Sequence, residues 1–374
     1  MVALAWKNLF HDRVRLVVTL VGIVFALVLI LVQFGLFLGF METSSNIVGY
    51  SRADIWIAAP KIPHVNAASV LDESKRFVAL SVPGVATVDR YALAFNPWKL
   101  PSGAQELVQV VGYNLSTGLG GPWNITQGSV DELRAEDTVM IDELYADKLG
   151  VKKLGDTAEI ANKRVKVVGF TRGIRSFTTA PYAFTSFKNA QNYTHIEEDQ
   201  TFYFLVKAAP GVAVAELKKA LQERMRGVDI YTTEEMRRKT QNYWVFETGA
   251  GITTLIGSVL GLIVGIVVVA QTIYSATVDH IREFGTLKAM GASNKDIYAV
   301  ILTQAAISAA MGYAIAVVIA KFVAQGSESG SAPILLPDSV AAGTFLLALA
   351  MCASASILSI RKATQIDPAM VFRG

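Results

Sequence analysis

The side chains of this chain that could do chemistry are few and scattered. Its four histidines, His11, His64, His195 and His280, show no H-E-x-x-H spacing and have no paired cysteines to complete a zinc site. Gly118, Gly120 and Gly121 run into Pro122 and Trp123 with no lysine to reach a phosphate. Nothing fits G-x-x-x-x-G-K-[ST], so the chain is not expected to be its own ATPase. Gly326 to Gly330 has the outline of a nucleophile elbow, but its centre is Glu328, and it reads better as a short loop. No catalytic, metal or cofactor constellation emerges, and the expectation is a non-catalytic protein.

The segment whose residue types do suggest work is Asp279 to Tyr298, DHIREFGTLKAMGASNKDIY. Ile281, Phe284, Leu287 and Met290 recur at i, i+3 spacing, a stripe that drifts around a helix, while Arg282 and Thr286 lie toward the other side. Lys288 falls between Ile281 and Phe284 on the wheel, so the stripe suits a contact surface better than burial in lipid. Gly291 stands where a left-handed C-terminal cap would sit. Ser293 and Asp296 have the spacing of a capping box that starts the next helix. A short helix, a set turn and a new helix make a stiff connection that can pass on a force. The competing reading is a mere turn.

Long apolar elements must carry that segment. Of 374 residues, 52% are hydrophobic and 17% charged, with a mean hydropathy of +0.40, too apolar for an ordinary soluble domain. Leu16 to Met41, Thr248 to Val278, Ile297 to Ala320 and Ser339 to Ile360 contain no Asp, Glu, Lys, Arg or His. Each is long enough to cross about 30 Å of hydrocarbon as a helix. The fold class read from this is an α+β membrane protein. One transmembrane helix precedes, and three follow, a large mixed α/β extracytoplasmic domain over residues 42–247. The first run lacks a small-x-small cleavage site at Met41 to Ser44, so it is expected to stay as an anchor.

Lys7, Arg13 and Arg15, then Arg282, Lys288 and Lys295, then Arg361, Lys362 and Arg373 flank the spans on one side. The loop of residues 321–338 has only Lys321. The positive-inside rule puts both termini, the 279–296 connection and the 361–374 tail in the cytoplasm, and residues 42–247 outside. The net charge of +3 is what such flanks produce and requires no nucleic acid. The one cysteine, Cys352, lies in the last span, so an ordinary core and not disulfides must hold the outer domain. Spans without carboxylates or histidines also argue against a proton- or ion-coupled transporter.

Finer features follow. Val2, Trp6, Leu9 and Phe10 share a helical face, which predicts an interfacial elbow helix over residues 1–15. The outer domain alternates strand and helix, as in sandwiches built from βαβ pieces, with a helix expected at DELYADKLG. Tyr243, Trp244 and Phe246 mark the return to the membrane. Gly257, Gly261 and Gly265 are spaced four apart, so they line one helix face and let another helix approach closely. The sequence leaves open whether this packing seam meets the same chain or a dimer partner. Gln33, Gln271 and Gln304 read as helix-to-helix hydrogen-bonding residues, and Arg172 and Arg175 as part of a solvated loop.

IREFGTLKAMGASNKDI resembles the signature of the MacB/FtsX-like ABC-transporter permease family, and KATQIDPAMVFRG resembles that family's C-terminal ending. LAWKNLFHDRVRLVVTLVGIVFALVLI is similar to its entry into the first span. VMIDELYADKLGVKKLGDTAEIANKRVKVVGF is similar to its extracytoplasmic core domain, and the first span followed by RADIWIAAP resembles the DevC-like branch. The resemblance implies a permease subunit of a bacterial inner membrane that forms a homodimer and binds two copies of a separate ABC ATPase. That partner would use ATP and Mg, and no cofactor is expected on this chain. Movement of the periplasmic domain, called mechanotransmission, would then drive export of a lipid, peptide or small molecule. A periplasmic adaptor of the membrane-fusion type and an outer-membrane channel are further implied partners. The family's ATPase-contacting helix maps onto Ile281, Arg282, Glu283, Phe284, Gly285, Thr286, Leu287, Lys288, Ala289, Met290, Gly291 and Ala292. Unlike in MacB itself, a fused ATPase domain is not expected, so the ATPase is expected as a separate gene product. A non-transporting FtsX-like signal transducer that controls a cell-wall hydrolase or sensor is the alternative.

Overall fold

The computed structural model describes residues 13–279, 285, 286, 288, 290–327, 330 and 333–364. Most of the expected elbow helix, residues 1–12, and the tail beyond residue 364 lie outside them. The chain divides into two units: one is Met1–Gly39, Ile252–Glu328 and Ala332–Gly374, and the other is Phe40–Gly251 with Ser329–Ser331.

In chain order the elements are α1 (Arg13–Thr43), α2 (Asn46–Gly49), β1 (Ile55–Ala58), β2 (Leu71–Asp72), α3 (Ser74–Leu80), β3 (Val85–Lys99), β4 (Gln105–Tyr113), β5 (Ile125–Gln127) and β6 (Thr138–Asp142). There follow β7 (Thr157–Ile160), β8 (Lys163–Thr171), β9 (Tyr182–Ser186), α4 (Phe187–Thr194), β10 (Gln200–Thr201), β11 (Tyr203–Ala208), α5 (Val214–Arg224), β12 (Asp229–Thr232) and α6 (Thr233–Asn242). Last come α7 (Ala250–Asp279), α8 (Asn294–Ser327) and α9 (Asp338–Thr364).

Four of these helices, α1, α7, α8 and α9, are long and apolar enough to cross a membrane. Three of them, α1, α8 and α9, outrun their charge-free stretches, because a helix ends at its caps and not at its last apolar residue. At 34 residues, α8 would extend about 50 Å. The first unit packs large apolar side chains against small ones. Ile23, Ala26, Leu27 and Ile30 of α1 are buried with Val269 and Ile273 of α7, Ala305, Ala309 and Ala316 of α8, and Met351 and Cys352 of α9. Ile23 fits over Gly312, where an added Cβ would come within 2.5 Å of the isoleucine. Such close backbone approach is how helices gain contact when lipid is as apolar as they are.

The second unit is mixed α and β, but its strands do not form the sandwich of βαβ pieces that alternation suggested. One path runs β12-β1-β11-β3-β4-β9-β6-β8-β5, and β7 pairs with both β3 and β8. The strands β3, β4, β9, β6, β8 and β7 therefore close a ring, and β11, β1 and β12 extend from β3 as a wing. Within the ring β4 and β9 run parallel, as do β6 and β8; the other pairs are antiparallel. Trp98, Val108, Val110, Val139, Ile141, Ile160, Val165, Val167 and Ala183, from all six ring strands, share one buried apolar cluster. A second cluster, with Trp56, Tyr91, Tyr203 and Phe204, fills the wing side.

The helix expected at DELYADKLG is only a 3-10 turn, Glu143–Tyr145, followed by turns. The cause is Asp142. Its buried carboxylate accepts from Thr171 Oγ1 at 2.9 Å and from the backbone N–H groups of Ile174 and Leu144 at 2.7 and 3.1 Å. These tertiary bonds fix the cap against β8 and its following loop, so the domain and not the segment's own helix propensity sets the path of the chain here.

Candidate functional site

The connection from α7 to α8 carries the residues that the sequence singled out. Ile281, Arg282, Glu283, Phe284, Leu287 and Ala289 lie outside the described residues. Of the rest, Gly285 is buried, Thr286 and Met290 are exposed, and Lys288 is half-buried. Met290 N–H donates to Thr286 O at 3.0 Å, a helical bond, and Gly291 has φ +96°, the left-handed conformation in which glycine carries no Cβ penalty. The next helix is capped reciprocally. Asp296 N–H donates to Ser293 Oγ at 3.3 Å, and Asp296 Oδ2 accepts from Ser293 N–H at 2.9 Å. The Ser293 hydroxyl also donates to that carboxylate at 2.7 Å. Two donors of the helix start are thus satisfied, and the turn has one defined geometry.

Gly257, Gly261 and Gly265 face α1 of the same chain. A Cβ at Gly257 would lie 3.4 Å from Gln33 Oε1, one at Gly261 would lie 3.4 Å from Gln33 Cγ, and one at Gly265 would lie 2.8 Å from Ile30 Cδ1. Ser258 Oγ donates to Gln33 O at 3.0 Å across the same seam. A matching pair on α1, Gly35 and Gly39, is tighter still and was not singled out in the sequence. Leu335 N–H donates to Gly35 O at 3.0 Å, and a Cβ at Gly39 would sit 1.8 Å from Pro333 O. The four-residue spacing that marks α7 would have found this pair too.

In the second unit, the ends of its two helical connections meet. Phe40, on α1, packs edge-on against Phe177 with ring centres 4.6 Å apart, and Phe177 packs against Trp244 at 4.9 Å. Trp244 and Tyr243 in turn flank His64 at 4.9 and 4.2 Å. Glu42 Oε2 meets the Arg237 guanidinium at 2.7 Å, and Gln241 Nε2 donates to Met41 O at 3.1 Å and Ser45 Oγ at 2.9 Å. Phe177 is held there by its loop: Gln109 Nε2 donates to Ser176 Oγ and Thr178 Oγ1 at 2.8 and 2.9 Å, and Asn46 Nδ2 to Arg175 O at 2.5 Å. Of the loop's arginines, Arg172 is exposed and paired with Glu143 at 3.0 Å, while Arg175 Nε donates to Gly330 O at 3.2 Å. Tyr243 and Trp244 are therefore stacking residues of the domain, whereas Phe246 is 61% exposed. His64 gave no signal in the sequence, because a lone histidine shows its partners only after folding. Burial pushes its imidazole below the ordinary histidine value, so it is neutral at pH 7. Among the described residues no group of three or more His, Cys, Asp or Glu could hold a metal ion.

The MacB-like periplasmic core domain family matches residues 16–224, more than half of the chain, and the FtsX-like permease C-terminal family matches residues 255–368. The chain belongs to the FtsX-like permeases with a MacB-like periplasmic core domain. With its four long apolar helices, this FtsX-like permease is a multi-pass membrane protein. An uncharacterized ABC transporter permease of Mycobacterium tuberculosis (strain CDC 1551 / Oshkosh) is 23% identical over 62% of this chain. The chain spans only 62% of that relative's length. An uncharacterized ABC transporter permease of Mycobacterium bovis is 22% identical over 99% of both chains. Among solved structures, the periplasmic region of MacB from Actinobacillus actinomycetemcomitans aligns with a TM-score of 0.39 at 14% identity, over 53% of this chain and 96% of that one. The extracellular domain of the noncanonic ABC-type transporter YknZ aligns with a TM-score of 0.37 at 12% identity, over 47% and 98%.

Proposed function

We propose that this FtsX-like permease is the non-catalytic membrane subunit of an ATP-driven ABC exporter in a bacterial inner membrane. A homodimer of the chain recruits two copies of a separate ATPase at residues 281–292, and that partner consumes the ATP and Mg. ATP binding pushes the connection, and the force moves the periplasmic domain to expel a lipid, peptide or small molecule toward an adaptor and an outer-membrane channel. The termini stay in the cytoplasm.

One observation carries this reading. The connection is built as a stop: Gly291 closes one helix, and Ser293 with Asp296 opens the next. A link needed only to join two helices would not require a cap on each side of the turn. Arg282 and Glu283 make the polar contacts to the ATPase, while the apolar stripe from Ile281 to Met290 enters its groove, a common way for a helix to be recognised. Substituting Arg282→Ala and Glu283→Ala together is expected to abolish recruitment of the ATPase to membranes and stop transport. Unchanged recruitment with unchanged transport would remove the proposal.

A further inference from the structure

The chain does not pass from α6 into α7 as one helix. Tyr243–Glu247 forms a π-helical turn, with Thr248 N–H donating to Tyr243 O at 3.1 Å, five residues back. Gly249 follows with φ +75°, which a residue with a side chain adopts only under strain. Then α7 begins at Ala250, whose N–H donates to Thr248 Oγ1 at 3.3 Å. A π turn spends its hydrogen bonds on a wider, less favourable ring. Such turns are rare overall but frequent at functional sites. The break is therefore a soft point between two regular helices.

Something must hold a soft point in one geometry, and the surroundings of His64 do so. The side chain is 9% exposed and lies against the rings of both Tyr243 and Trp244, the first two residues of the π turn. Its orientation is set from its own segment: Asn66 N–H donates to Nδ1 at 3.2 Å, and Val65 is fixed on both sides by Thr240 Oγ1 at 3.2 Å and Tyr203 OH at 2.8 Å. Trp244 also packs edge-on against Phe177. Gly251 completes the fit, because a Cβ there would meet Val245 Cα at 2.6 Å and Phe40 Cε1 at 2.7 Å. Beyond its own backbone bonds, the π turn is thus held against the domain by stacked rings. Stacked rings can slide or part without leaving a buried polar group unpaired, so such a clamp can release at small cost.

We propose that Tyr243–Gly249 is a hinge in the outer domain and that His64, stacked on Tyr243 and Trp244, is the latch that holds it closed. The latch stands on the geometry alone, and its use rests on the force-transmission reading above.

The test uses the full chain in lipid nanodiscs and follows backbone hydrogen exchange. Without nucleotide, His64→Ala is expected to speed exchange at residues 243–251 about tenfold, as loss of two ring contacts would, while His64→Phe keeps the stack and stays near wild type. If His64→Ala changes nothing, or if His64→Phe exchanges as fast as His64→Ala, there is no latch. A second arm adds the partner ATPase with ATP and Mg. In a Cys352→Ala background, His64→Cys and Tyr243→Cys are joined by a short reducible thiol crosslinker. Joining is expected to abolish the ATP-dependent exchange change in the outer domain while ATP hydrolysis continues, and reduction restores it. An ATP-dependent change that survives joining overturns the hinge and leaves the proposed function standing. No ATP-dependent change even in the uncrosslinked chain refutes the proposed function and, with it, the use of the hinge, while the nucleotide-free arm still decides the latch.

Discussion

Adding one methyl group at Gly39 separates backbone contact from mere helix propensity. A Cβ built there lies 1.8 Å from Pro333 O, whereas Cβ atoms essentially never come closer than 3.0 Å to another heavy atom. The obstacle is a carbonyl and not the end of a flexible side chain, so relief must come from the backbone of Pro333–Leu336. That segment is tied to α1 by Leu335 N–H donating to Gly35 O at 3.0 Å. Overpacking of this kind costs about 1–3 kcal/mol, and the rigidity of the partner places Gly39→Ala toward the upper end. Replacing glycine inside a helix returns about 1 kcal/mol. The net is a loss of about 2 kcal/mol, or roughly thirtyfold in the folded-to-unfolded ratio. Gly343 in α9 is the control, since a Cβ there meets nothing within 4 Å. Gly343→Ala should gain up to about 1 kcal/mol. Equilibrium denaturation of both variants in detergent micelles reads the two shifts. A Gly39→Ala chain at least as stable as wild type, or two variants shifting the same way, would refute the packing of Pro333–Leu336 on α1.

Two further outcomes test the junction. Because His64 is held below its ordinary value, the unfolded chain binds the proton more readily than the folded one. Stability should therefore be fully present above about pH 6.5 and fall as the pH is lowered from there through the folded value. Thermal unfolding of the full chain at pH 7.5 and 5.5 should show this loss, and His64→Phe should reduce it; an equal loss in both would assign the pH dependence elsewhere. At the α1 end, Glu42 and Arg237 are each about one third exposed, so Glu42→Gln should cost less than about 1 kcal/mol. Gln241 is 9% exposed and bonds to Met41 O and Ser45 Oγ, so Gln241→Leu should cost more, about 1–3 kcal/mol. The reverse order in chemical denaturation would show that the ion pair and not the amide secures this corner.

Much of this protein can be read from its residues in order. Runs of 20 or more apolar residues without charge have one comfortable environment, so the number of long helices and the place of the mixed domain follow from local composition. The Gly291 cap and the Ser293–Asp296 pair are equally legible, because a cap acts over three or four residues and its partners are fixed by covalent spacing. The closure of the ring was not legible. It depends on β7 reaching both β3 and β8, through pairs such as Trp98 with Ile160 and Glu159 with Arg164, and no local pattern states which strands will be neighbours. Asp142 turned an expected helix into a 3-10 turn through bonds to Thr171 and Ile174, some 30 residues away. The partner of the α7 glycines was likewise undecided until Gln33 and Ile30 were seen against them. His64, isolated in the sequence, acquired its place only when folding brought it against rings nearly 180 residues further along the chain. Local spacing determined the long helices and their caps; contacts between distant segments, whose energies no single stretch contains, decided the strand neighbours, the 3-10 turn and what the segments would hold.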